Sequence, residues 1–127
     1  EKNISIYTDI PAQLNIAVHP EHLQRALANL LSNAVQYGKE NGEIRITAMT
    51  TENSCRIDVL TAGVQIPEQH LAHLFERFYQ VDSSRHQKAQ TGGLGLAIVQ
   101  SIMQLHQGEV QVNNHSQGVV FSLIFPI

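Results

Sequence analysis

The chain has 127 residues, the size of a single domain with enough length to bury one core. Apolar residues make up 43% and charged residues 15%, which excludes a disordered chain, and a net charge of −3 argues against a nucleic-acid partner. The uninterrupted apolar runs are too short to cross a membrane, and the lone Cys55 has no internal disulfide partner, as suits a reducing compartment. Glu1-Lys2-Asn3 carries no leader pattern and reads as a cut inside a longer protein.

In chain order, Ile4 and Ile6, then Ile16 and Val18, alternate with polar residues and predict two short strands around Pro11. Pro20 suits the first turn of a helix, where a missing N–H leaves nothing unpaired. From Pro20 to about Tyr37 the residues Leu23, Leu27, Leu30, Leu31 and Ala34 recur at helical spacing, and Gly38 is a natural stop. Ile44, Ile46 and Ala48, then Ile57 and Val59 beyond a polar turn, predict a hairpin. Pro67 can open a short helix through about Phe75. Residues 80–93 carry no apolar period and read as a loop, which leads into a second long helix marked by Leu94, Ile98, Ile102 and Leu105 and closed by Gly108. Val110 and Val112, then Val119, Phe121, Leu123 and Phe125, predict a last hairpin. The expected architecture is a two-layer α/β sandwich: a mixed, mostly antiparallel sheet with the helices on one face.

Four features bear on chemistry. Asn29, Asn33 and Tyr37 are four residues apart, so they form one stripe on the flank of the first long helix. An Asn carbonyl oxygen is a ligand for a hard cation such as Mg²⁺, which takes few protein ligands and completes its shell with phosphate and water. Spacing alone is better served by two ordinary half-buried amides. Thr91-Gly92-Gly93-Leu94-Gly95-Leu96 runs into a helix, bringing backbone N–H groups and the positive end of the helix dipole to one point, a pattern that serves an anion site and a plain loop equally well. It lacks the Gly-Lys-Ser/Thr of a P-loop. Gly63-Val64-Gln65-Ile66-Pro67 is a glycine turn after a strand, and Phe75-Glu76-Arg77-Phe78-Tyr79 places two aromatic rings at core spacing.

The order of these features resembles the histidine-kinase branch of the Bergerat-fold ATPases. Leu27 to Gly38 is similar to that family's Asn box, Phe75 to Tyr79 to its Phe box, and Gly93 to Val99 to its second glycine box, and the resemblance spans about residues 3–126. It implies a Bergerat-fold domain over residues 1–127 that binds ATP and Mg²⁺ and transfers the γ-phosphate to a histidine of a separate, upstream dimerisation domain in two-component signalling. By similarity Asn33 ligates Mg²⁺, and Asn29 contacts the phosphates or the metal's water shell. Tyr37 packs near adenine or ribose, Ile66 contacts the adenine face, and Gly63 lets the backbone approach the base. Residues 80–92 form a lid. Gly93 and Gly95, with Leu94 and Leu96 beside them, line the phosphate site, and Arg77 and Arg85 are the available cations. The implied partners are the dimerisation domain and a response regulator. The implied location is a cytoplasmic domain, without membrane contact of its own, of an inner-membrane sensor.

The chain departs from the pattern at its first glycine box, where the family reads Asp-x-Gly-x-Gly-Ile. Here Thr61 stands for the Asp that receives the adenine amino group, Gln65 for the second glycine, where its side chain is expected to crowd the pocket, and Gln36 for a Lys common among relatives. Asp58 lies three residues before Thr61 and, by strand alternation, points elsewhere. These departures support an alternative: a degenerate nucleotide-binding or scaffolding module with little kinase activity. His19 and His22 read as helix-entry residues, and His70 with His73 lacks a third metal ligand.

Overall fold

Strand alternation sets the core. In the computed structural model, which describes residues 3–11, 17–77 and 95–127, five strands form one sheet in the order β1-β2-β3-β5-β4. They are β1 (Ser5–Asp9), β2 (Glu43–Thr50), β3 (Ser54–Ala62), β4 (Glu109–His115) and β5 (Gly118–Pro126). β1 runs parallel to β2, and every other neighbouring pair is antiparallel. Ile44, Ile46 and Ala48 of β2, Cys55, Ile57, Val59 and Thr61 of β3, and Val119, Phe121, Leu123 and Phe125 of β5 are buried. Each set follows the period of two that puts alternate side chains on one face.

Three helices complete the described fold: α1 (Pro20–Tyr37), α2 (Glu68–Leu71) and α3 (Gly95–Leu105). α1 and α3 pack on each other; α1 also meets β3, and α3 meets β4 and β5. Ala26, Leu30 and Ala34 of α1 and Val99, Ile102 and Met103 of α3 close the core over the sheet. The two-layer arrangement expected from the sequence is the one observed, and both hairpins and the bounds of α1 agree with it. No helix among the described residues is long and apolar enough to cross a membrane.

Other expectations are corrected. Val18 is not in a strand, and residues 17–19 lead directly into α1. Here the His19 N–H donates to Nε2 of His106, 3.1 Å away, so this segment is tied to the end of α3 and not to the sheet. α2 is one short turn. From Pro67 to Glu76 the amides of His70, His73 and Glu76 bond to the carbonyls of Pro67, His70 and His73, i→i+3 bonds that turn more tightly than an α-helix. α1 ends at Gly38 without a left-handed cap, since Gly38 has φ −64°. After α3 it is Gln107, at φ 60°, that takes the left-handed position, and not Gly108.

Candidate functional site

α1 carries the first site residues. Asn29 and Asn33 are half-buried, and Ala26, Leu30 and Ala34 beside them are buried, so the Asn stripe follows the edge of the apolar face. Asn29 Nδ2 and Asn33 Oδ1 are enclosed and have no hydrogen-bond partner among the described residues. An unmet buried polar group costs ~1–3 kcal/mol, so native folds pair nearly all of them. Two exceptions, one turn apart on one helix flank, leave a donor and an acceptor side by side on α1. The free atoms are complementary: an N–H donor suited to a phosphate oxygen and a carbonyl oxygen suited to a hard cation. Tyr37 follows at the C-terminal end of the same helix and is half-buried.

β3 delivers Thr61, which is 2% exposed and lies in register with Ile44 on one side and Val119 on the other. Asp58 sits on the opposite face, where its carboxylate accepts from Arg56 Nε at 3.0 Å and Arg56 also donates to the Ser122 hydroxyl. It is no substitute for a carboxylate at 61, as strand alternation predicted.

The chain then turns at Gly63. Its φ of 77° lies in the left-handed region that side chains other than glycine resist, and its N–H donates to the Gln117 carbonyl at 2.9 Å. Lys39, which the sequence reading passed over, lies across this turn: Cδ, Cε and Nζ are each 3.3 Å from the point a Cβ on Gly63 would occupy. Ile66 is 2% exposed and belongs to the core cluster. Gln65 does not behave as expected. Its side chain is exposed, and Nε2 donates to the His115 carbonyl at 2.7 Å, so it lies along the β4–β5 hairpin and does not crowd the pocket.

Gly95 and Leu96 open α3 and are buried. Their amides fall within the first turn, where N–H groups lack intrahelical acceptors. Arg77 is exposed and lines a groove of about 930 Å³ with Phe75, Ala97, Ser101 and Leu105, a groove that none of Asn29, Asn33, Thr61 or Gly63 lines. Phe75 meets Phe121 edge to face, with ring centroids 6.2 Å apart, so this aromatic serves the core. Arg85, Gly93, Leu94, Phe78 and the lid at 80–92 lie outside the described residues.

A family model described as histidine kinase-, DNA gyrase B- and HSP90-like ATPase matches residues 18–127. The chain belongs to that ATPase family. It is 40% identical over 114 residues to the sensor histidine kinase CusS of Escherichia coli O157:H7, covering 90% of this chain and 24% of that protein. Against the sensor protein VanSB of Enterococcus faecalis the identity is 39% over 124 residues, covering 98% of this chain and 28% of the relative. This histidine-kinase-like ATPase domain thus spans about a quarter of the length of the curated relatives it matches. In structure it superposes on the catalytic domain of the histidine kinase ThkA with a TM-score of 0.86 at 29% identity, covering 98% of this chain and 80% of that one. Full-length ShkA in complex with AMPPNP gives 0.83 at 29% identity, covering 98% of this chain and 26% of that one.

Proposed function

We propose that this domain binds Mg·ATP and donates the γ-phosphate to a histidine on a separate dimerisation domain, as the kinase half of a two-component relay. The observation that carries this reading is the pair of unpaired amide atoms on α1. Asn33 Oδ1 would hold Mg²⁺ and Asn29 Nδ2 would face phosphate oxygens. Gly95 and Leu96 would present N–H groups to the phosphates at the start of α3, together with Gly93 and Leu94 before them, while Thr61, Gly63, Ile66 and Tyr37 would form the base end. Arg77 and Arg85 would supply positive charge toward the phosphates, and residues 80–92 would close as a lid. The bound metal would neutralise charge on the β- and γ-phosphates. The protein's part is positioning and electrostatic stabilisation, which is most of what phosphoryl transfer requires. The kinship with sensor histidine kinases and the crystallised complex of ThkA with the response regulator TrrA support a place in a sensor protein, with this domain in the cytoplasm and a response regulator as downstream partner.

A second reading, a weakened nucleotide module, rests on Thr61 alone, since Gln65 is engaged by the hairpin. A hydroxyl offers a neutral hydrogen bond of ~0.5–1.5 kcal/mol where a carboxylate would give ~1.5–3. Titrating ATP with and without Mg²⁺ separates the two. The kinase reading expects Mg²⁺-dependent binding that Asn33→Ala abolishes. Absence of binding at millimolar ATP would rule it out, and a large gain with Thr61→Asp would favour the weakened module.

A further inference from the structure

We propose that Asn114 is a positioning residue for the base end of this nucleotide site, an inference that rests on the Mg·ATP reading. Asn114 continues the inward row Val110, Val112 on β4, where a polar side chain needs a partner. It finds two on one residue. Its Oδ1 accepts the Ile66 N–H at 2.9 Å and its Nδ2 donates to the Ile66 carbonyl at 2.7 Å. An amide side chain carries one acceptor and one donor in a plane, so it copies the paired bonds that a neighbouring antiparallel strand would make to an extended residue. Ile66 therefore sits as if on a sheet although it lies in no strand.

Two further bonds tie the same segment to the same hairpin: Gly63 N–H to the Gln117 carbonyl and Gln65 Nε2 to the His115 carbonyl. Both ends of the turn from Gly63 to Ile66 are thus held by residues 114–117. Asn29 and Asn33 differ from Asn114 in this respect. Each of them leaves an amide atom free for a ligand, whereas Asn114 uses both of its atoms on the backbone. Asn114 touches no reacting group and acts through the turn, fixing where the Gly63 backbone and the Ile66 side chain meet the base.

Calorimetric titration of this chain with Mg·ATP tests the idea, because it returns affinity and the number of sites separately. Asn114→Ala is expected to raise Kd about tenfold, the scale of losing one to two neutral hydrogen bonds, while keeping one site per chain. Asn114→Asp keeps the size and the acceptor but sets a carboxylate against the Ile66 carbonyl, and is expected to bind at least as weakly. Asn114→Ser, which keeps one bond, should fall between and serves if the Ala variant does not fold. An unchanged Kd overturns the proposal. So does a falling site number at constant Kd, which would mean only that less protein is folded, or an Asp variant that matches the parent. A parent that binds no ATP overturns the nucleotide reading itself and this one with it.

Discussion

Asn29 and Asn33 leave a donor and an acceptor enclosed without partners among the described residues, while Asn114, half-buried on β4, satisfies both of its amide atoms. The same residue type thus leaves amide atoms unpaired in one place and spends both on the backbone in another, and the difference lies in what each side chain faces. Gly118 makes a related point through space. A Cβ there would lie 2.1 Å from the Thr61 carbonyl oxygen and 2.9 Å from Ala62 Cα, both backbone atoms with little room to give. Gly118→Ala should therefore cost about 1–3 kcal/mol as an overpacked site and displace Thr61 with it. A denaturant midpoint equal to the parent's would show that the strands part without strain.

Among elements, the parallel pair β1–β2 offers a controlled comparison. Ile6 and Ile44 are register partners, yet Ile6 is 51% exposed on the edge strand and Ile44 is fully buried. Ile44→Ala should cost about 2–5 kcal/mol through lost burial and a cavity, whereas Ile6→Thr should stay within about 0.5 kcal/mol. Equal losses in urea unfolding would contradict the assignment of the core. The long elements were legible because their periodicity is unambiguous: Leu23 to Ala34 repeats at helical spacing and Val119 to Phe125 at strand spacing. What escaped the reading is decided by partners distant in the chain. Val18 looks like a strand residue, but the neighbouring His19 amide is captured by His106. Gln65 looks like an obstruction until the His115 carbonyl claims it. The cue for Asn114 was available, an Asn where the row Val110, Val112 calls for a third apolar residue, and so was the basic side chain of Lys39, though its reach over Gly63 was not. The Asn box, the glycine turn and the start of α3 were all recognisable, since each depends on neighbours within a few residues.

The whole molecule shields its one thiol. Cys55 is 0% exposed, and burial pushes its pKa up, so it is both unreachable and largely protonated. Alkylation by iodoacetamide should therefore be far slower than for a free thiol in native buffer and should accelerate with denaturant in step with global unfolding. Rapid native labelling would mean that β3 opens locally at Cys55.

β5 lies between β3 and β4 although it follows every other described element in sequence. Its register partners on β3 are far away along the chain, and such non-local pairings are slow to form because loop closure must come first. During synthesis, Thr61 and the glycine turn emerge long before Gly118, Val119 and the hairpin that hold them. A ribosome-bound intermediate would thus expose the unpaired edge of β3, with Ile57 and Val59 uncovered, until β5 arrives. The nascent domain is vulnerable to aggregation in that interval, and the surroundings of Thr61 and Gly63 take shape as one of the last events of folding.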